Sequence, residues 1–146
     1  MKIYEIQNRT PQLVGKLLDV WESSVRATHL FLSDAEVKSI KEYVPRALES
    51  VEHLIIAEDE KLAAFMGTQN GRLEMLFIAP EERGKGIGKQ LMQYGVQNYG
   101  ITKVTVNEQN PQAVGFYEHM GFKTYKRTDL DEEGSPYPLL YMKLMR

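Results

Sequence analysis

Leu76-Phe77-Ile78-Ala79-Pro80-Glu81-Glu82-Arg83-Gly84-Lys85-Gly86-Ile87-Gly88-Lys89 is the stretch on which the fold turns. An apolar run ends, three glycines alternate with other residues, and an amphipathic pattern begins with Ile87, Leu91 and Tyr94 on one face. That is a strand, a tight turn and a helix. Glycine lets the main chain adopt positive φ and approach a ligand closely. The unpaired N–H groups at a helix start, with the helix dipole behind them, favour a phosphate or pyrophosphate. Arg83 and Lys85 add positive charge at the same place. A Walker loop needs Gly-Lys-Ser/Thr and is excluded by Gly84-Lys85-Gly86. A dinucleotide fingerprint needs G-x-G-x-x-G, but after Gly84 and Gly86 the third glycine, Gly88, arrives one residue early. The spacing R-x-x-G-x-G is met by Arg83, Gly86 and Gly88. A ligand-free strand–helix connection is the plain alternative.

Outward from this turn, the pattern is of alternating elements. Upstream, Lys2 to Ile6 alternates as a short strand. Thr10-Pro11 is an N-cap followed by proline at the first helical position, and Leu13, Leu17, Trp21 and Val25 form one apolar face. Ser33 and Glu36 have capping-box spacing before the stripe Val37, Ile40, Val44 and Leu48, in which Pro45 is expected to kink or shorten the helix. His53–Glu58, Lys61–Thr68 and Arg72–Ala79 read as strands, the last two joined by the hairpin signal Asn70-Gly71. Downstream, Lys103–Asn107 is a strand. Asn110-Pro111 opens a helix with Ala113, Phe116, Tyr117 and Met120 on one face, and Gly121 stops it. Phe122–Thr128 and Leu139–Leu144 close the chain around the acidic loop Asp129 to Glu133. The order β-α-α-β-β-β-α-β-α-β-β predicts a mixed α/β sheet with helices on its faces.

Composition narrows the function. A chain of 146 residues with no repeat or linker reads as one domain, residues 1–146. Hydrophobic residues are 42% and charged residues 26%, the profile of a globular chain. The formal net charge of −2 argues against general binding to nucleic acid or a membrane surface. There is no cysteine, which excludes disulfides, Cys-based zinc sites and a thiol nucleophile. Three histidines without HExxH spacing give no metal signal, so no metal is expected. Without a signal peptide or a long apolar run, the expected location is the cytoplasm.

The turn resembles the acyl-CoA-binding motif of the GNAT superfamily, the GCN-related N-acetyltransferases. Asn107 to Ala113, Phe116-Tyr117 and Gly121-Phe122 match that family's N-x-x-A-x-x-F-Y-x-x-x-G-F signature. Trp21 to His29 resembles an uncharacterised bacterial subgroup. The resemblance implies a mostly antiparallel sheet of six to seven strands with about four helices. It implies transfer of an acetyl group from acetyl-CoA to a primary amine of a small molecule or peptide, by direct attack, in a monomer or homodimer. The main chain at Leu76, Phe77 and Ile78 is implied to meet the pantetheine arm and thioester carbonyl, on a strand splayed from its neighbour. Arg83, Gly84, Lys85, Gly86, Ile87, Gly88 and Lys89 are implied to hold the pyrophosphate. Asn110 is implied to touch the cofactor arm, beside its role as helix cap.

Tyr117 is implied to protonate the departing thiolate. A phenol of pKa about 10 is protonated at neutral pH, yet transfer to a thiolate of pKa about 8.5 is uphill by roughly 2 kcal/mol. An amine acceptor must also lose a proton before attack. Glu74, on the motif strand, is one candidate base and acceptor contact. Strand alternation predicts that Glu74 shares a face with Leu76 and Ile78. His29, with a pKa near neutrality, is another candidate, and water is a third. His53 and His119 read as structural or exposed, and Trp21 as core. A catalytically silent CoA-binding sensor on the same fold is the competing reading.

Overall fold

A computed structural model describes residues 1–145. The chain runs β1 (Lys2–Glu5), α1 (Pro11–Thr28), α2 (Asp34–Lys41), α3 (Val44–Ser50), β2 (His53–Glu58), β3 (Leu62–Gln69), β4 (Arg72–Ile78), α4 (Ile87–Tyr99), β5 (Lys103–Asn107), α5 (Pro111–His119), β6 (Phe122–Thr128) and β7 (Leu139–Leu144). A 3₁₀ turn, Pro80–Glu82, links β4 to the glycine turn.

The caps behave as their chemistry dictates. Thr10 accepts from Leu13 N, Ser33 and Glu36 close a reciprocal capping box, and Asn110 accepts from Ala113 N. The single second helix expected from Ser33 is two helices. Proline 45 has no N–H and its ring crowds the carbonyl four residues back, at Lys41, where α2 ends. Asn70 and Gly71 have φ of 51° and 74°, the pair of positive values a two-residue hairpin turn needs.

The seven strands lie in the order β1-β2-β3-β4-β5-β7-β6. Every pairing is antiparallel except β4 with β5, which α4 connects as a crossover. One face packs on α4 and α5 through Met66, Leu91, Met92, Val104, Phe122 and Met142. The other face packs on α1, α2 and α3 through Leu17, Trp21, Val37, Leu48, Ile56 and Phe65. That second core takes strand residues from β2, β3 and β4 only, so the helices leave β5, β7 and β6 uncovered on that side.

Two irregularities of β4 position everything that follows. Gly67 pairs with Met75 and Thr68 with Leu73, so Glu74 is the extra residue of a β-bulge. Leu73, Leu76 and Ile78 then belong to the α4/α5 side, while Met75 and Phe77 pack toward α1. The expectation that Glu74 shares a face with Leu76 and Ile78 fails, because alternation is broken at Glu74 itself. Secondly, β4 pairs with β5 only at Arg72 and Leu73. Beyond Leu73 the two strands diverge.

Candidate functional site

The divergence has a consequence for hydrogen bonding. Ala79 N donates to Ala63 O at 2.8 Å, which fixes the phase of the β3–β4 ladder. Met75, Phe77 and Ala79 therefore turn their N–H groups toward β3. Leu76 and Ile78 turn theirs to the opposite edge, where β5 has departed. These two amides open into a crevice of about 290 Å³.

The walls of the crevice come from four elements. Leu76, Phe77 and Ile78 supply the floor of β4. The turn supplies Glu82, Arg83, Gly84, Gly86, Ile87, Gly88 and Lys89, α5 supplies Asn110, Gln112, Ala113, Phe116 and Tyr117, and the end of α1 supplies Ser24, Thr28 and His29. Gly84 and Gly86 have φ of 80° and 79°, with open space where a Cβ would stand. Gly88 is a different case. A Cβ there would lie 3.0 Å from Ile78 Cδ1, so this glycine lets α4 close down on β4. The turn and helix start thus present main-chain donors rather than side chains at the mouth of the crevice.

Of the residues read from the sequence, eleven fall on this crevice: Leu76, Phe77, Ile78, Arg83, Gly84, Gly86, Ile87, Gly88, Lys89, Asn110 and Tyr117. His29 joins them. Lys85 does not line it; its ammonium points to Glu82 Oε2 at 2.9 Å on the exposed rim. Arg83 reaches Gln112 Oε1 at 3.2 Å and so ties the turn to α5.

Tyr117 is 8% exposed and packs edge-on against Phe116 and Phe122, with centroids 5.3 and 6.1 Å away. Among the described residues its hydroxyl makes no hydrogen bond, and no sealed, unpartnered polar side-chain atom is found. Burial alone drives its pKa well above the ordinary phenol value, so the group keeps its proton across the physiological range.

His29 caps the C-terminus of α1. The Thr28 hydroxyl donates its one hydrogen to Ser24 O at 2.8 Å, so toward His29 Nδ1, also 2.8 Å away, it acts as acceptor. The ring proton is thereby assigned to Nδ1 and the lone pair to Nε2. Burial, aided by Arg83, lowers the imidazole pKa and keeps the ring neutral.

Glu74 stands elsewhere. The bulge turns it into a second depression of about 640 Å³, between α2, β4 and the β6–β7 loop. Its other carboxylates are Glu36, Asp131, Glu132 and Glu133, and its walls include Ile40, Tyr43 and Tyr137. Desolvation raises the Glu74 pKa, Arg72 opposes the rise and Glu132 adds to it. Asp131 is occupied with its own loop, accepting from Glu133 N and Ser135 N at 3.0 and 2.8 Å. Phe31 stands between the depressions, 5.5 Å from the His29 ring and 5.9 Å from that of Tyr137. Among the described residues no group of His, Cys, Asp or Glu is arranged to hold a metal ion.

Sequence reading did not assign Ser24, Thr28, Glu82, Gln112, Ala113 and Phe116 to the crevice, nor Glu36, Tyr43 and Tyr137 to the depression. Ser24, buried in the apolar stripe of α1, was a legible signal for the first group. Nothing local marks the second group, in which Tyr137 joins Glu36 and Tyr43 from about a hundred residues further along the chain.

Comparison with known proteins agrees with this geometry. The family model described as "Acetyltransferase (GNAT) domain" matches residues 19–143. The chain is 41% identical over 126 residues to the peptidyl-lysine N-acetyltransferase YjaB of Salmonella typhimurium, covering 86% of this chain and 87% of that one. The solution structure of apo-form YjaB from Escherichia coli superposes with a TM-score of 0.87 at 35% identity, over 99% of both chains. The PaiA N-acetyltransferase of Thermoplasma acidophilum in complex with coenzyme A shares the fold, with a TM-score of 0.69 at 22% identity over 98% of this chain and 99% of that one. No helix among the described residues is long and apolar enough to cross a membrane. The chain belongs to the GNAT acetyltransferase family, and it is an acetyltransferase that delivers its acetyl group to an amine.

Proposed function

We propose that this protein, as one cytoplasmic catalytic domain, acetylates lysine side chains of polypeptides with acetyl-CoA as donor. The observation that carries the reading is the parting of β4 from β5, which leaves the Leu76 and Ile78 amides facing a crevice that also holds Tyr117. Bound acetyl-CoA supplies a thioester, a carbonyl already activated toward amines. The main-chain donors of Arg83 to Lys89 grip its diphosphate, and the Leu76 amide pairs with its arm. Ile78 N–H donates to the carbonyl oxygen as negative charge gathers there. Asn110 serves chiefly as the cap of α5 and touches the arm from that position.

Tyr117 donates a hydrogen bond to the sulfur as the C–S bond breaks. Its raised pKa makes it a poorer acid, so its role is to hold the departing sulfur by a hydrogen bond rather than to give up its proton fully. The acidic depression receives the lysine acceptor. Its aliphatic stem lies along Ile40, Tyr43 and Tyr137 with its amine reaching toward Ile78, and Glu74, ionised but about 10 Å or more away along β4, takes the ammonium proton through intervening water. His29 Nε2 is the second base on the crevice side. The peptide lysine follows the name of the YjaB relative and the carboxylates of the depression, which favour a cation.

Tyr117→Phe tests this directly in a thiol-release assay with lysine peptides. Turnover should fall about a hundredfold. The rise in melting temperature on adding acetyl-CoA should persist, because binding to the folded state does not need the hydroxyl. Undiminished turnover would remove Tyr117 from the reaction.

A further inference from the structure

The uncovered face of β5, β7 and β6 carries an arrangement that acetyl transfer alone does not use. Arg72 pairs with Lys103, Lys103 with Lys143, and Lys143 with Lys123. Residues directly opposite share a face, so four cations stand in one row across β4, β5, β7 and β6. At a strand spacing of about 4.8 Å the row is roughly 14 Å long. Like charges at directly opposed positions destabilise a sheet. Among the described residues none of the four forms an ion pair; Arg72 donates to the Thr105 hydroxyl at 3.3 Å, and the Lys143 ammonium lies over the exposed Tyr125 ring, 5.6 Å from its centroid. Protection of a sheet edge by lysine accounts for Lys123 on the edge strand, but not for Lys103 and Lys143 on interior strands. In a chain of net charge −2 such a row is a local excess with a direction. It ends at Arg72, beside Glu74, and Glu74 lines both the acidic depression and another, of about 580 Å³, shared with Arg72 and Lys103.

Resting on the peptide-lysine reading above, we propose that this row is a docking surface for an acidic stretch of the substrate polypeptide flanking the acceptor lysine. In an extended segment, side chains two residues apart point the same way and are about 7 Å apart. Three alternate carboxylates therefore span the length of the row. The lysine enters the depression at Glu74 and the acidic residues run outward from Arg72 to Lys123. Charge complementarity favours this occupant: the depression is acidic and suits the lysine, and the adjoining row is basic and suits its neighbours. The enzyme thereby selects lysines with Asp or Glu on one side.

The test compares wild type with K123E/K143E, two exposed residues outside the catalytic machinery. Two blocked peptides carry one lysine, followed by alternate glutamates or by serines. The double variant should raise KM for the acidic peptide about tenfold and leave kcat, and both constants for the serine peptide, unchanged. A fluorescent acidic peptide with norleucine in place of lysine should bind wild type, weaken about tenfold in the variant, and weaken likewise in 0.5 M salt. This binding does not depend on turnover. If the norleucine peptide binds while neither lysine peptide is acetylated, the docking surface stands and the peptide-lysine reading falls. Equal KM values for the acidic peptide in both proteins, no binding of the norleucine peptide, or its displacement by a lower concentration of single-stranded RNA than of unlabelled acidic peptide would each overturn the proposal.

Discussion

The crevice and the acidic depression share strand β4 and are built on opposite principles. The crevice is made of main chain: two N–H groups that lost a sheet partner, two glycines at positive φ and the start of α4. The depression is made of side chains: carboxylates and tyrosines from α2, β4 and a loop beyond residue 130. The lesson is about what each must recognise. In the proposed function a diphosphate and an amide-bearing arm meet backbone dipoles, which any chain can supply once sterics permit. A particular amine is met by charge and shape, which only particular residues supply. Changes in the crevice should therefore act through backbone geometry, and changes in the depression through charge.

The largest effect is expected at Gly86. With φ of 79° a β-branched residue is strained by about 1–3 kcal/mol although space is open there. Gly86→Val should rebuild the turn and abolish the thermal shift caused by acetyl-CoA; a preserved shift would detach the turn from cofactor binding. An intermediate effect is expected at Glu74. The carboxyl must be ionised to act as base, so the rate should rise with pH through its raised pKa and level off above it. Glu74→Gln should lower kcat/KM about tenfold or more and erase that limb. Glu74→Gln also removes a carboxylate whose folded-state pKa is raised. Such a group favours the folded state below its pKa and costs stability as pH rises through it, so the variant should melt no lower than wild type at pH 7. An unaltered pH profile would transfer the base role to His29 Nε2. The smallest effect is expected at Lys85, whose partner is Glu82 rather than the crevice. Lys85→Ala should change acetyl-CoA affinity by about twofold at most, as for an exposed charge screened by salt. A tenfold loss by titration would mean that Lys85 swings inward when the cofactor binds.

Much of this was legible in one dimension. Capping residues, the Asn70-Gly71 turn and the stripe Leu17, Trp21, Val25 act within a few residues, so spacing alone reveals them. Pro45 announced a disturbance, but whether it kinks a helix or divides one depends on what α2 and α3 can each bury. Glu74 was misread for a physical reason. A bulge is a mismatch between two strands, Gly67-Thr68 against Leu73-Glu74-Met75, and no single strand carries its signature. The cationic row is invisible for the same reason: Arg72, Lys103, Lys143 and Lys123 become neighbours only through pairing.

By itself the sequence determined most of the elements, the glycine turn that leads into α4, and the place of the Tyr117 phenol on α5, one strand further on. These depend on local sterics and on hydrogen bonds between near neighbours. Only the tertiary structure decided where β4 leaves β5, which way Glu74 faces, and which charges stand side by side. Register, splay and charge juxtaposition are relations between distant segments, and they exist only once the sheet has closed.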